Sequence, residues 1–231
     1  MLDVRLMLTL EPRREAIHLE GKLVASHMRL VYSIPKPHVY FRSGYSSEPI
    51  LSEAAAQQLY VFQKYSQSAM IEILMENVSD GLLDLGARGE LIARVLLTSA
   101  YDRVVERDHS GPLDTGTIPF FSRGCKVITF IEELFSEAYA KTILDSVPDN
   151  VTSHVLFRDA FKSAKMCFTH FAKMVDDTCT TSDAMYAAFL RGIAVICATG
   201  QPAVDILIPV LLEDVPLCEE VMTSLMIQIK R

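Results

Sequence analysis

The sequence predicts an α-rich α/β protein in which several helices pack on a small mixed β-sheet. Three observations predict it. Most of the chain carries apolar residues at helical spacing, the last forty residues break into short β-branched runs separated by turn residues, and half of the 231 residues are apolar against 22% charged. That composition is long and greasy enough to bury a core, as one domain over residues 1–231 or as a helical part, 1–85, followed by a core, 86–231.

Leu2 to Leu10 alternate apolar and polar, the period of a half-buried strand. From Pro12, suited to a first helical turn, Ile17, Val24, Met28 and Val31 recur at helical spacing to about Tyr32. Ser33 to Pro49 is punctuated by proline, glycine and serine and reads as a loop. Ser52 is placed to cap a helix to about Asn77, and a second, Glu90 to about Arg107, is expected to bury Leu91, Ile92, Val95, Leu96 and Val104. Asp108 to Gly124 is a glycine- and proline-containing loop. Thr129 and Glu132 have capping-box spacing ahead of a helix with Leu134, Phe135 and Ile143. Val155 to Val175 reads as a helix with Phe157, Phe161, Phe168 and Phe171 on one side, and Ser182 or Asp183 caps a short helix to Arg191. Ile193–Ala198, Val204–Leu211 and Ser224–Ile229 are the strands.

Several function classes lose their anchor. The greasiest stretch, Ala203 to Leu212, is interrupted by Asp205 and Pro209 and is too short to span a bilayer, so no membrane partner is expected. Five scattered cysteines without a C-x-x-C pair predict reduced thiols and an intracellular setting. A net charge of −7 argues against a surface coated with cations. No phosphate-binding glycine loop, nucleophile-elbow serine or H-E-x-x-H helix occurs. Cys167 and His170, at i and i+3, are read as packing residues, not ligands.

The specific constellation lies in the last two strands. Asp205 interrupts an apolar run, and Gln228 and Lys230, two apart, project to one face of the next. A carboxylate and an ammonium inside greasy strands are costly unless paired or ligating. If the strands are neighbours, the Asp205 carboxylate, the Gln228 side-chain oxygen and the Ile229 carbonyl supply the hard oxygen ligands that Mg2+ (or Mn2+) prefers, with Lys230 beside them. That arrangement suits phosphodiester hydrolysis by an activated water.

"GQPAVDILIPV" followed by "SLMIQIK" resembles the D-x(n)-(E/Q)-x-K signature of PD-(D/E)XK nucleases, in the Gln-containing form of Mrr-type restriction endonucleases. The resemblance implies a restriction endonuclease-like core, Mg2+ dependence and DNA as substrate. It also implies a further acid from the first core helix, for which Glu90 in "GARGELIARVLL" is the match. The metal ligands expected from it are therefore Asp205, Gln228, Ile229 and Glu90, with Lys230 the catalytic lysine. Gln228 stands where Glu is commoner, and Arg231 falls where that family continues with another helix and strand, as expected of a C-terminally truncated core, of one whose missing elements are supplied differently, or of a degenerate site. "SHMRLVYSIPK", "RSGYSSEPILSEAAAQQ", "MCFTHF" and "LMIQIK" are also similar to stretches of large uncharacterised fungal proteins, over nearly the whole chain.

Blander readings stand beside these. Asp205 and Lys230 can form a cross-strand ion pair, and Glu90 can favour a helix start while pairing with an exposed Arg94 at i+4. The alternative to a nuclease is a catalytically inactive helical interaction module.

Overall fold

The computed structural model describes residues 1–8, 17–34, 42–45, 47–65, 72, 74–75, 88–109, 117–149, 154–174, 180–198, 203–213 and 218–229. The chain is a mixed α/β protein, as its patterning predicts. Helices α1 (Leu2–Leu6), α2 (Ile17–Ser26), α3 (Pro49–Tyr65), α4 (Arg88–His109), α5 (Val127–Leu134), α6 (Glu137–Leu144), α7 (Phe157–Ala160) and α8 (Ser182–Leu190) surround the strands. Strands β1 (Leu30–Ser33) and β2 (Arg42–Gly44) form an antiparallel hairpin. The main sheet contains β3 (Cys125–Lys126), β4 (Lys165–Met166), β5 (His170–Lys173), β6 (Ile193–Ile196), β7 (Ile206–Leu211) and β8 (Met222–Ile227).

Strand β7 organises this sheet. β8 pairs antiparallel with all six of its residues, from Ile206↔Ile227 to Leu211↔Met222. β6 pairs antiparallel with its first two residues and β4 with its last two, so those strands share its other edge. Pro209 sits between the two shared segments, where a missing N–H breaks no ladder bond. β5 adds to β6 in parallel and makes the sheet mixed.

Every residue of β7 is buried, and its two faces feed two cores. Ile206, Ile208 and Val210 pack with Leu6, Leu59, Tyr101, Val104, Phe130 and Phe168 from the helices and turns on one side. Leu207 and Leu211 pack with Met185 and Ala188 of α8, and with Val195 and Cys197, on the other. A strand covered on both faces reads as a continuous apolar run rather than an alternating one, which "ILIPVL" does.

The structure corrects several local expectations. Leu2–Leu6 is a helix, not a strand; Met7 (φ 49) ends it, its N–H bonding to the Asp3 carbonyl. Leu2, Val4, Arg5 and Leu6 are all buried, so the alternation reports no half-buried face. The helix expected to reach Tyr32 ends at Ser26, and β1 follows; Leu30 and Val31 instead pair with Gly44 and Ser43 across the segment read as loop. Val155–Val175 is not one helix: α7 stops at Ala160, a turn follows, and Lys165–Met166 and His170–Lys173 are strands. Phe157 stacks on Phe161 at 4.3 Å while Phe168 and Phe171 enter the sheet core, so one aromatic period served two kinds of element. Finally, the helix expected to continue to Ile143 breaks at extended Phe135, and Thr129 lies inside α5, its hydroxyl donating to the Lys126 carbonyl.

Helix α4 has the expected extent but a rotated face. Ile92 and Leu96 are 58% and 56% exposed, whereas Arg94 and Thr98 are buried beside Val95, Leu97 and Val104. The expected continuation of α3 toward Asn77 falls largely outside the described residues.

Candidate functional site at the end of β7 and β8

The two segments carrying the candidate residues are adjacent, because the long β7–β8 ladder runs antiparallel and delivers the start of β7 to the end of β8. Ile206 pairs with Ile227, yet the Asp205 N–H also donates to the Ile227 carbonyl (2.8 Å), so the pairing slips by one residue there. The Asp205 carbonyl accepts from Cys197 N–H (2.9 Å), which fixes the backbone of Asp205 between β6 and β8.

The side chain completes the junction. Oδ2 of Asp205 accepts the Ile229 N–H at 2.6 Å, a charge-assisted bond that holds the chain beyond β8 against the start of β7. An ionised carboxylate has about four lone-pair sites, so one accepted bond leaves capacity for further partners. Asp205 is half-buried; its charge and, before it, burial raise the pKa of the Cys197 thiol, which belongs to the core under α8.

Gln228 lies on the strand extension between Ile227 and Ile229 and is exposed. Ile229 packs against the helical core on the opposite face. The start of α4 approaches that side: a Cβ on Gly89 would lie 3.8 Å from Ile229 Cγ2. Glu90 follows Gly89 and is half-buried, on the helix that packs in the core across the sheet from α8. Lys230 lies outside the described residues. The structure thus brings together Asp205, Gln228, Ile229 and the first turn of α4.

Arg94 is not the exposed partner foreseen for Glu90. Its guanidinium donates to the carbonyls of Leu6 (2.6 Å), Met7 (2.7 Å) and Glu90 (3.3 Å), and burial lowers its pKa while the Glu90 charge opposes that shift. Arg158 pairs with Asp145.

The donor set fits a hard divalent cation in chemistry: a carboxylate, a carboxamide oxygen and a backbone carbonyl on one junction, and a second carboxylate on the neighbouring helix. Among the described residues no three His, Cys, Asp or Glu side chains are grouped to hold a metal, so such a site depends on Gln228 and the Ile229 carbonyl. No helix among them is long and apolar enough to cross a membrane.

These features define a mixed α/β protein with a carboxylate-centred junction at one end of its sheet. The chain belongs to the family described as Domain of unknown function (DUF8736), which matches residues 7–231. No curated protein and no solved structure matches it.

Proposed function

We propose that the β7–β8 junction is the metal site of an intracellular nuclease or nuclease-like domain acting on DNA phosphodiesters. The observation that carries this reading is the 2.6 Å bond from Ile229 N–H to Asp205 Oδ2, which sets the acid of one strand beside Gln228 and Ile229 of the next. Asp205, Gln228 and the Ile229 carbonyl would hold Mg2+ or Mn2+, with Glu90 the fourth candidate. Such a cation acidifies water and offsets charge on the phosphoryl oxygens. The chain's own tasks are then distinct. Asp205 anchors the site while its bond to Ile229 keeps the β8 extension in register. Lys230 supplies an ammonium that orients the attacking water and stabilises developing negative charge. The free cysteines among the described residues, Cys125, Cys167, Cys197 and Cys218, agree with a reducing, intracellular setting.

The same bond favours a second reading, in which Asp205 only terminates the sheet of a silent interaction module. Asp205→Asn separates the two, since an amide oxygen can still accept the Ile229 N–H but lacks the charge that holds a cation. Plasmid DNA is incubated with Mg2+ or Mn2+ and wild type, Asp205→Asn or Lys230→Ala. Nicking by wild type alone supports the nuclease; equal nicking by all three, or none by wild type, removes it.

A further inference from the structure

A second constellation lies at the other end of the main sheet's parallel edge, away from Asp205. Ser47 Oγ is 2.8 Å from Nε2 of His170, the first residue of β5, which is only 1% exposed. Nδ1 of the same ring is 3.2 Å from Thr169 Oγ1, itself 2.9 Å from Ser52 Oγ, and Ser52 Oγ donates to the Pro49 carbonyl at 2.9 Å.

One count of protons along this chain, in which Thr169 Oγ1 also lies 3.4 Å from the Gly192 carbonyl, leaves Nε2 as an acceptor. Ser52 has one hydroxyl proton, and it goes to Pro49, so Ser52 accepts from Thr169. Thr169 therefore accepts from His170 Nδ1–H, and Nε2 carries the lone pair that accepts the Ser47 hydroxyl. Ser47 is half-buried, just ahead of α3, whereas its partner ring is sealed in. Arg191, which follows α8 and is exposed, donates from its guanidinium to the Ser47 carbonyl and so stands beside the hydroxyl with further N–H donors.

We propose that Ser47 and His170 form a nucleophile–base dyad for acyl transfer from carboxylic esters, with Thr169 positioning the imidazole and Arg191 supplying a donor to the oxyanion. In the step, Ser47 Oγ bonds to the ester carbonyl carbon as its proton passes to Nε2. The C–O bond to the leaving alcohol then breaks, and the alkoxide takes that proton from Nε2. Water, deprotonated by the same nitrogen, hydrolyses the acyl-serine and restores both residues.

The surroundings give this dyad a recognisable signature. His170 faces Arg191 and Arg5 of α1, the latter paired with Asp102 of α4. Burial first, then these two cations, push its pKa down to about 4. The base is therefore unprotonated from weakly acidic to alkaline pH, and nucleophilic labelling should rise through about pH 4 and stay level above it.

A fluorophosphonate probe tests the assignment on the full chain, because attack by a serine oxygen forms an Oγ–P bond and expels fluoride. The expected result is one adduct per chain, mapped by peptide mass spectrometry to Ser47 and absent from Ser47→Ala. His170→Gln should label about 100-fold more slowly, and the rate should show the acidic inflection. No adduct on wild type, or an adduct at another residue, overturns the proposal even if the variants fail to fold.

Discussion

Arg5 offers a direct test of how the N-terminal helix is tied to the sheet. It is 1% exposed, yet it is a charged side chain on a five-residue helix that could not stand alone. Its guanidinium donates to both Asp102 carboxylate oxygens, at 2.5 and 2.8 Å, and through Nε to the Thr169 carbonyl at 2.9 Å. Burial works against its charge, and the Asp102 carboxylate, with Tyr101 and Glu53 behind it, outweighs that cost and raises the Arg5 pKa. Arg5→Met keeps the length and apolar stem but strands Asp102, whose side chain is 22% exposed, and the Thr169 carbonyl. Removing one partner of a buried pair costs about 3–5 kcal/mol; partial hydration of Asp102 places the expectation near about 3 kcal/mol. For a chain of this size that is a fall in Tm of roughly 10 °C. Arg103→Met is the control, because its pair with Glu133 is solvent-exposed and worth well under about 1 kcal/mol. Urea denaturation of the three proteins measures both changes. If Arg5→Met costs no more than Arg103→Met, the pair does not anchor α1 and the proposed role of this network is wrong.

Two further outcomes follow from the same geometry. The pKa of His170 falls from 6.5 unfolded to about 4 folded, so the unfolded chain binds the proton more tightly. Stability is then fully present above about pH 6.5 and is lost as pH falls toward 4, by up to roughly 3 kcal/mol; urea midpoints between pH 7 and 4.5 should drop, and less so in His170→Gln. Gly124 has φ +74, and a Cβ there would lie 2.6 Å from the Met166 carbonyl oxygen. Gly124→Ala should therefore cost more than about 2 kcal/mol, read as a lowered Tm, because both the backbone and the β3–β4 pairing must give way.

What the sequence disclosed, and what it hid, divides along physical lines. Strands β6, β7 and β8 were legible because β-branched and apolar residues fill them and turns bound them; α4 and α8 were legible from helical spacing. Their pairings were not, since ladders such as Met166↔Val210 join residues far apart in the chain. Arg5 and Arg94 look like surface residues to any period count. They are buried because Asp102, Thr169, Leu6 and Met7 satisfy them, and those partners come from other elements. Arg94 also explains why Ile92 and Leu96 turn outward on α4. At the candidate site, Asp205 stood out as an acid in an apolar strand, and its nearness to the Gln228 segment followed from the two strands being neighbours. Its bond to the Ile229 amide, and the approach of Gly89 to Ile229, had no signal in the sequence. Nor did the Ser47–His170 contact, which spans 123 residues; by its sequence His170 reads as a packing residue on a helix, because the aromatic spacing around it is helical.

In the proposed metal site the acid at the start of β7 ligates a cation beyond the end of β8. Mn2+ binding followed by electron paramagnetic resonance tests it without requiring turnover. One bound Mn2+ per wild-type chain is expected, with at least about tenfold weaker binding by Asp205→Asn, which stays folded by urea titration because its amide oxygen still accepts the Ile229 N–H, though without the charge assistance. Wild type that leaves all Mn2+ free, or Asp205→Asn that binds as tightly, would contradict it.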